Sequence, residues 1–261
     1  SDFRSGNSGE YNWSSNAVDT ISFGHYDAYS NLLGYRALKF GVTLGKEAGD
    51  EEFAQQCLEK AAILKTAFRP MLQNPDTGLI AGWRSKDGKL HDYAFTFVNA
   101  MTICYGLVDE DTGRNILDTL EGLRHQWEID DFRYGIPINL VPIRREDQKE
   151  NVIGSPLRAD GKDMFGFFIN GSLMPTLGYF YLRALSMLGY TSIADQVCEQ
   201  ILESFAIRRF EGGHLSGTEY FTQDGSPTGY EGTLTHGYHM LLAVAQHTGL
   251  VKTLEPEWWI E

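Results

Sequence analysis

Glu219 is the carboxylate of this 261-residue chain whose surroundings best suit a general base. It stands before the aromatic residue Tyr220 in a short β-like run, and the turn-forming pairs Asp-Gly and Ser-Pro follow within residues 224–227. A carboxylate held on a rigid turn can take a proton from water or from a hydroxyl group. The same position is also consistent with an ordinary loop acid.

A second candidate is Asn170, in the segment from Phe168 to Pro175. The pair Asn170-Gly171 favours a turn with a positive φ angle, and Pro175 suits the first position of a helix. The amide of Asn170 would then face a hydroxyl group of a ligand. A helix start without any ligand explains the same residues equally well.

The neighbouring residues Trp83 and Arg84 combine a flat apolar ring with a hydrogen-bond donor, which is what a sugar ring requires. The amino-terminal stretch holds acids and aromatic residues that would supply a second carboxylate and further sugar contacts. They are Glu10, Trp13, Asp19 and Tyr26. For each aromatic residue, packing in the core is the alternative interpretation.

Metal and cofactor motifs are missing from the sequence. His236 and His239 are three residues apart, which is not the HExxH spacing of a zinc helix. The phosphate-binding loop, GxGxxG and GxSxG patterns do not occur either. We therefore expect no metal and no cofactor.

The charge of the chain disfavours several classes of partner. Its 35 acidic residues exceed its 22 Lys and Arg residues, for a net charge of −13. Nucleic acids need clustered Lys and Arg, and anionic membranes or polyanionic substrates would be repelled. The chain also lacks the roughly 18 consecutive apolar residues of a membrane span. A neutral carbohydrate is the substrate that fits best.

The cysteines favour a reducing compartment. Cys57, Cys104 and Cys198 lie on apolar helical faces without a CxxC pair, so we expect buried free thiols. The polar amino terminus shows no signal peptide and is typical of a cut inside a longer protein or of a processed terminus. A cytoplasmic location is slightly favoured.

Apolar residues recur with helical spacing in seven segments, so the sequence predicts an all-α protein. The first stripe is Leu33, Ala37, Phe40 and Leu44, and the last is Leu234, Tyr238, Leu241 and Ala245. Gly49 should end the first helix, and Asp50 should cap the second.

Short connections pair the first six helices into antiparallel hairpins, whereas long loops separate the hairpins at residues 74–91, 129–170 and 208–231. We therefore predict a single domain over residues 1–261. Its fold class is an (α/α) toroid of helical hairpins, either complete or incomplete, with the long loops on one face.

The order of hairpins and two motifs resemble the (α/α)6-barrel, or six-hairpin, glycosidases. The segment Phe168–Pro175 resembles the Tyr-x-Asn-Gly-Ser/Gly-x-Trp-Pro motif of amylo-α-1,6-glucosidases, with Phe168 and Met174 in place of Tyr and Trp. Glu219-Tyr220-Phe221 and the glycines after it resemble the base loop of glycoside hydrolase family 63 and trehalase-like enzymes. By this resemblance Glu219 is the catalytic base.

The resemblance is partial in two respects. Ser8-Gly9-Glu10 only partly resembles the Glu-Ser-Gly-x-Asp loop of the general acid, because its Asp is missing. The family barrel has twelve helices, whereas seven are predicted here. The chain is then either the carboxy-terminal part of a longer barrel that lacks an amino-terminal segment, or a short toroid completed by another element such as a second copy.

The leading hypothesis is an inverting glycoside hydrolase with Glu219 as the base and Asp19 or Glu10 as the acid. The sugar would be positioned by side chains from all four segments, namely Trp13, Tyr26, Trp83, Arg84, Asn170 and Tyr220. A non-catalytic glycan-binding or scaffold domain is one alternative. A related (α/α) polysaccharide lyase or phosphorylase is another, supported by Arg133, Arg144 and Arg145 in the longest loop.

Overall fold

The computed structural model describes residues 16, 18, 20–148, 165–166, 169–207, 218–231 and 234–251. Seven α-helices lie in these ranges, at the positions that the sequence predicted. They are α1 (Ala28–Ala48), α2 (Glu51–Leu72), α3 (Thr96–Cys104), α4 (Glu110–Gln126), α5 (Pro175–Met187), α6 (Thr191–Ala206) and α7 (Leu234–His247).

Short strands form two small antiparallel sheets between the helices. The first sheet has the order β1 (Tyr26–Asp27), β2 (Trp83–Arg84) and β3 (Leu90–His91). The second has the order β4 (Ile136–Pro137), β5 (Leu173–Met174), β6 (Thr218–Phe221) and β7 (Pro227–Glu231). Backbone pairing of residues 93–95 with residues 139–141 connects the two sheets.

The helices form an inner and an outer layer. The odd-numbered helices form a row in which α1 packs on α3, α3 on α5 and α5 on α7. The even-numbered helices α2, α4 and α6 pack against α1, α3 and α5 respectively. Every residue of α3 is buried, as is typical of an inner helix. The predicted all-α class of paired, antiparallel helices is confirmed.

The tight turns have the predicted capping residues. Gly49 adopts a left-handed conformation at the end of α1, and the Asp50 carboxylate accepts a hydrogen bond from the Phe53 backbone amide at the start of α2. Asp109 caps α4 in the same way. These caps satisfy backbone groups that the helix ends leave free, and they explain why the hairpin connections are short.

The strands lie on the face of the molecule at which the inner helices begin. β1 leads directly into α1 and β5 directly into α5, while β7 precedes α7. At the start of α3, the Thr96 amide donates to the Ile138 carbonyl beside β4. The described parts of the long loops therefore lie on one face of the layered helices and the tight turns on the other, as predicted.

The predicted apolar face of α1 is wrong, and that of α7 is wrong at Tyr238. The stripe predicted for α1 is exposed, up to 60% at Leu44, whereas Leu32 and Tyr35 are buried. On α7, Tyr238 is 59% exposed and Met240 is buried instead. Both helices end the row, so within the described residues each has one inner neighbour. The apolar residues that face away from that neighbour stay on the surface.

A buried ionic cluster connects α4 to α5. Arg124 donates two hydrogen bonds to Glu121 at 2.7 and 3.1 Å, and one to the Ile129 carbonyl at 2.6 Å. Glu121 also accepts a hydrogen bond from the Tyr181 hydroxyl. The side chains of Arg124 and Glu121 are 4% and 9% exposed. Their charges are stabilised by each other and by these hydrogen bonds, because water cannot reach them.

The three cysteines are buried free thiols, as predicted. Among the helices of the described residues, none has the length and the apolar composition to cross a membrane.

Candidate functional site

Glu219 lies on β6 opposite an irregularity in its partner strand. Thr218 pairs with Glu231, but Tyr220 pairs with Thr228, so β7 has one residue more than β6 between the two pairs. Such a β-bulge is frequent beside active sites, because it redirects a side chain. Tyr220 is buried and Glu219 is partly exposed. The carboxylate is thus the polar group that this strand presents between buried neighbours.

The turn that contains Asn170 lies next to this hairpin. β5 pairs with β6 at Leu173 and Phe221, and the Gln223 side chain donates to the Gly171 carbonyl at 3.3 Å. The predicted positive φ is found at Gly171, at 76°, where an added Cβ would lie 2.6 Å from the ring of Phe165. Glycine is therefore required at this position.

The Asn170 amide is held by its neighbours. Its side-chain oxygen accepts hydrogen bonds from the Ile143 backbone amide at 3.0 Å and from Asn139 at 3.2 Å. Its amide nitrogen is buried and has no hydrogen-bond partner among the described residues. Buried donors are rarely left without a partner in native proteins. The contact between Asn170 and a ligand hydroxyl stays a prediction.

Backbone strain is concentrated on the same face of the molecule. Four non-glycine residues of the described chain have positive φ angles, and three of them precede the inner helices: His25 before α1, Ala94 before α3 and Ile169 before α5. A β-branched residue such as Ile169 rarely adopts this conformation. Strain of this kind persists where the surrounding structure enforces it, and it clusters at functional sites.

The start of α5 also depends on a close backbone contact at Gly135, where φ is 113°. An added Cβ would lie 2.9 Å from the Pro175 nitrogen, an atom that cannot move aside alone. At Gly88, where φ is 86°, a Cβ would meet nothing within 4 Å. Both replacements by alanine should cost about 1–2 kcal/mol for the left-handed backbone.

Gly135→Ala should therefore lower the free energy of unfolding by about 1–3 kcal/mol more than Gly88→Ala, because overpacking adds to the strain. Urea denaturation of the two variants measures the difference. Equal losses would show that β4 is not held against the start of α5.

Tyr26 is the one amino-terminal candidate among the described residues, and it lies on the first sheet beside Arg84. Tyr26 on β1 pairs with Arg84 on β2, and Tyr26 is 43% exposed, so its ring is accessible. The Arg84 guanidinium donates to the carbonyls of Met71 and Gly88, both at 2.6 Å. These two hydrogen bonds hold the β2–β3 turn against the end of α2.

The predicted sugar platform at Trp83 is wrong. Trp83 is 0% exposed and its ring is stacked on His91, with centroids 4.5 Å apart and an angle of 9° between the planes. The β2–β3 hairpin turns this side chain into the core, so that no ring face is left for a ligand. Tyr220 is likewise 2% exposed and cannot offer its ring face to a sugar in this conformation.

The candidate acids Glu10 and Asp19 lie outside the described residues, and so does Trp13. Two described residues before α1, Asn16 and Ser22, are hydrogen-bonded to other parts of the fold. Asn16 donates to the Asp27 carboxylate at 2.8 Å, and the Ser22 amide donates to the Asp147 carbonyl at 2.8 Å. The residues just before α1 are thus fixed at the helix starts.

The structure brings the candidates together in two groups. Tyr26, Trp83 and Arg84 lie on the first sheet, whereas Asn170, Glu219 and Tyr220 lie on or beside the second. The backbone pairing of residues 93–95 with 139–141 joins the two groups on one face. The inner helices begin at this face.

Two further features bear on a metal and on an anionic substrate. Among the described residues, no three His, Cys, Asp or Glu side chains are grouped so as to hold a metal ion. Arg133 is already engaged, because its guanidinium donates hydrogen bonds to both carboxylate oxygens of Asp131. It is not available to neutralise the carboxylate of a uronate, which a lyase would require.

No family model matches the chain, and no curated protein matches it either. Solved structures do match. A GH63 mannosylglycerate hydrolase from Thermus thermophilus, in complex with glucose, is similar with a TM-score of 0.56 at 14% identity. The match covers 84% of this chain and 47% of that one. A protein described as a sialidase is similar with a TM-score of 0.58 at 14% identity, over 91% of this chain and 21% of that one.

The fold is that of the six-hairpin glycosidases. At 14% identity the similarity concerns the fold alone. The chain spans less than half the length of either of these proteins.

In this six-hairpin fold, the residues that shape the candidate site include several that the sequence did not reveal. Asn139 is fully buried, accepts a hydrogen bond from the Gly171 amide at 2.8 Å, and donates to Asn170. Asp147 and Tyr93 form a buried cluster with His91. These partners are 31 to 56 positions apart, so no local motif could have indicated them.

Proposed function

We propose that this chain carries the catalytic base of an inverting glycoside hydrolase that acts on a neutral oligosaccharide or glycoside. One observation supports this most directly. Glu219 is a partly exposed carboxylate opposite a β-bulge, on the face where the inner helices begin and backbone strain collects. The fold shared with a GH63 hydrolase agrees with this assignment.

The proposed reaction needs two carboxyl groups on opposite sides of the scissile bond. Glu219 removes a proton from water, which attacks the anomeric carbon, while a carboxylic acid protonates the leaving oxygen as its bond to that carbon breaks. The acid comes from Asp19 or Glu10. A separation of about 6.5–9.5 Å between the two carboxyls leaves room for the water.

A neutral substrate follows from the charge of the chain. Because the chain has a net charge of −13, it would repel a polyanionic carbohydrate. The partly exposed Tyr26 and the donor at Asn170 are groups that suit sugar rings and hydroxyls. We therefore propose a neutral sugar as the substrate. Neither the charge nor these side chains distinguish an α-glycoside from a β-glycoside.

The anomeric configuration of the first-formed sugar tests the mechanism. Hydrolysis of neutral aryl glycosides is followed by proton NMR before the free sugar equilibrates. The proposal expects a product of inverted configuration and a rate that does not depend on added phosphate. Retention would contradict the proposed water attack, and an absolute requirement for phosphate would indicate a phosphorylase.

A non-catalytic glycan-binding domain is the second candidate function. It is favoured by the missing Asp in the segment Ser8-Gly9-Glu10, where the resemblance places the general acid. Titration calorimetry with the oligosaccharides of the activity screen separates the two functions. Binding without turnover of any of them would support the second candidate and exclude the hydrolase.

A further inference from the structure

A second cluster of buried polar side chains lies where the β2–β3 hairpin meets the 3₁₀ turn Arg145–Asp147. We name it the Asp147 cluster; its members are Ser85, His91, Tyr93 and Asp147. His91 Nδ1 lies 2.6 Å from Asp147 Oδ2, and His91 Nε2 lies 3.0 Å from Ser85 Oγ. The Tyr93 hydroxyl donates to the same Asp147 oxygen. The side chains of His91 and Asp147 are 6% and 5% exposed.

The hydrogen bonds determine the charge of His91. The Ser85 hydroxyl has one proton and lies beside two oxygen acceptors, Asp87 and the Lys89 carbonyl; with the proton directed at these oxygens, the Ser85 oxygen accepts a hydrogen bond from His91 Nε2. On the other side of the ring, Nδ1 must donate to the Asp147 carboxylate. Both ring nitrogens then carry protons. His91 is an imidazolium ion that is paired with Asp147 and stacked on Trp83.

The order Ser85, His91, Asp147 is also that of a nucleophilic triad, but the geometry excludes this role. Ser85 is 3% exposed, and its proton is directed at the Asp87 and Lys89 oxygens rather than at the histidine. An imidazolium ion cannot act as the base that a serine nucleophile requires. The cluster therefore has a structural role rather than a catalytic one.

The backbone of the same turn holds the residues before α1. The Ser22 amide donates to the Asp147 carbonyl at 2.8 Å, and Ile21 forms a β-bridge with Gln148. The position of the Asp147 backbone is in turn set by its buried side chain. Residues 20–22 directly follow Asp19, one of the two candidate acids.

We propose that the Asp147 cluster is a positioning device that holds residues 20–22, which directly follow the candidate acid Asp19 in the sequence. Its members touch no substrate and act through the backbone of Ile21 and Ser22. The part of this inference that concerns the acid rests on the proposed function. The part that concerns residues 20–22 does not.

The charged groups around the cluster agree with an ionised pair. Burial opposes ionisation of Asp147, but the hydrogen bonds from His91 and Tyr93 and the charge of Lys89 outweigh it and lower its pKa. Burial and the adjacent Asp147 raise the pKa of Tyr93, although Arg144 lowers it in part. A lowered carboxyl pKa gives stability that is present above the ordinary carboxyl range and is lost as the pH falls through the lowered value. The anchor should therefore hold at neutral pH and weaken in acid.

Amide hydrogen exchange at Ser22 tests the anchor without any activity. Asp147→Asn removes the negative charge at nearly constant shape, so we expect exchange of the Ser22 amide about 10–100-fold faster than in the unmutated protein. Tyr93→Phe, the milder change, should give a smaller acceleration. The control is Asp195→Asn, which removes a carboxylate paired with His247 at 2.9 Å elsewhere in the fold. Unchanged exchange in Asp147→Asn, or equal acceleration in the control, would overturn the proposal.

The dependence of kcat on the leaving group tests whether the Asp147 cluster positions the general acid. An alkyl glycoside needs protonation of its leaving oxygen, whereas a dinitrophenyl glycoside departs without it. For Asp147→Asn we expect kcat to fall at least about tenfold on the alkyl glycoside and little on the dinitrophenyl glycoside, with KM nearly unchanged on both. Equal losses on both substrates would overturn the positioning of the acid.

The exchange experiment and the kinetic experiment can fail independently of each other. If the unmutated protein hydrolyses no glycoside, the proposed function fails, and the exchange of the Ser22 amide still decides whether the Asp147 cluster is an anchor.

Nitrogen NMR of the His91 ring tests its charge directly. The hydrogen bonds to Asp147 and Ser85 predict a proton on both ring nitrogens at about pH 7. A neutral tautomer would overturn the imidazolium assignment.

Discussion

Replacing Glu219 with glutamine is expected to lower kcat for hydrolysis of a neutral glycoside by about 10²–10⁴-fold, because an amide cannot take the proton from the attacking water. Glutamine has nearly the same shape, so the pairing of β6 with β5 and β7 should be kept. Steady-state kinetics on an aryl glycoside measures the effect. Circular dichroism and urea denaturation should show an unchanged fold.

The matched control is Asp224→Asn in the turn of the same β6–β7 hairpin. Asp224 accepts a hydrogen bond from the Thr222 hydroxyl, and asparagine keeps an oxygen that can accept it. The change removes one negative charge near β6, so a general charge effect would lower kcat in both variants. We expect activity close to the unmutated level for Asp224→Asn. Near-normal turnover in Glu219→Gln would remove Glu219 from the role of base.

Replacing Arg124 with alanine is expected to lower the free energy of unfolding by about 3–5 kcal/mol, since it leaves the Glu121 carboxylate buried without its counter-ion. Arg124 also donates to the Ile129 carbonyl, which would lose its partner. Urea denaturation measures the loss in the free energy of unfolding, provided that the dependence of this free energy on urea concentration has the same slope in both proteins.

Arg114→Ala on the same helix is the control for Arg124. Arg114 pairs with Glu110 at 2.7 Å, but both side chains are largely exposed to water. Exposed pairs of this spacing contribute about 0.3–0.5 kcal/mol. The double variant Glu121→Gln with Arg124→Met should recover part of the loss, because no buried charge is left unpaired; the Asp130 carboxylate, which also pairs with Arg124, is 63% exposed and is solvated by water. A loss at Arg124 no larger than that at Arg114 would contradict the account of this cluster.

The helices could be predicted because each depends on local signals. Stripes with helical spacing, Gly49 and the capping residues Asp50 and Asp109 lie within a few residues of the elements that they define. Which face of a helix is buried is a different question. For α1 and α7, the buried face depends on how many helices pack against them in the inner row. The sequence does not show this number.

The candidate site was predictable only where its residues are close along the chain. The turn at Gly171 and the β-like run at Glu219 were found from neighbouring residues, and both are confirmed as backbone features. Trp83 looks like a surface ring in a glycine-rich loop, yet the hairpin turns it inward onto His91. That contact depends on Asp147, which is 56 positions from His91, and no local pattern could have indicated it.

A crystal structure of the protein with a neutral oligosaccharide bound is the most direct test of the central claim. We expect the Glu219 carboxylate within hydrogen-bond reach of a water that faces the anomeric carbon. A carboxyl from Asp19 or Glu10 should lie on the other side of the sugar, about 6.5–9.5 Å from Glu219. A sugar bound elsewhere, or a Glu219 side chain that points into bulk solvent, would contradict the assignment of this chain as an inverting glycosidase.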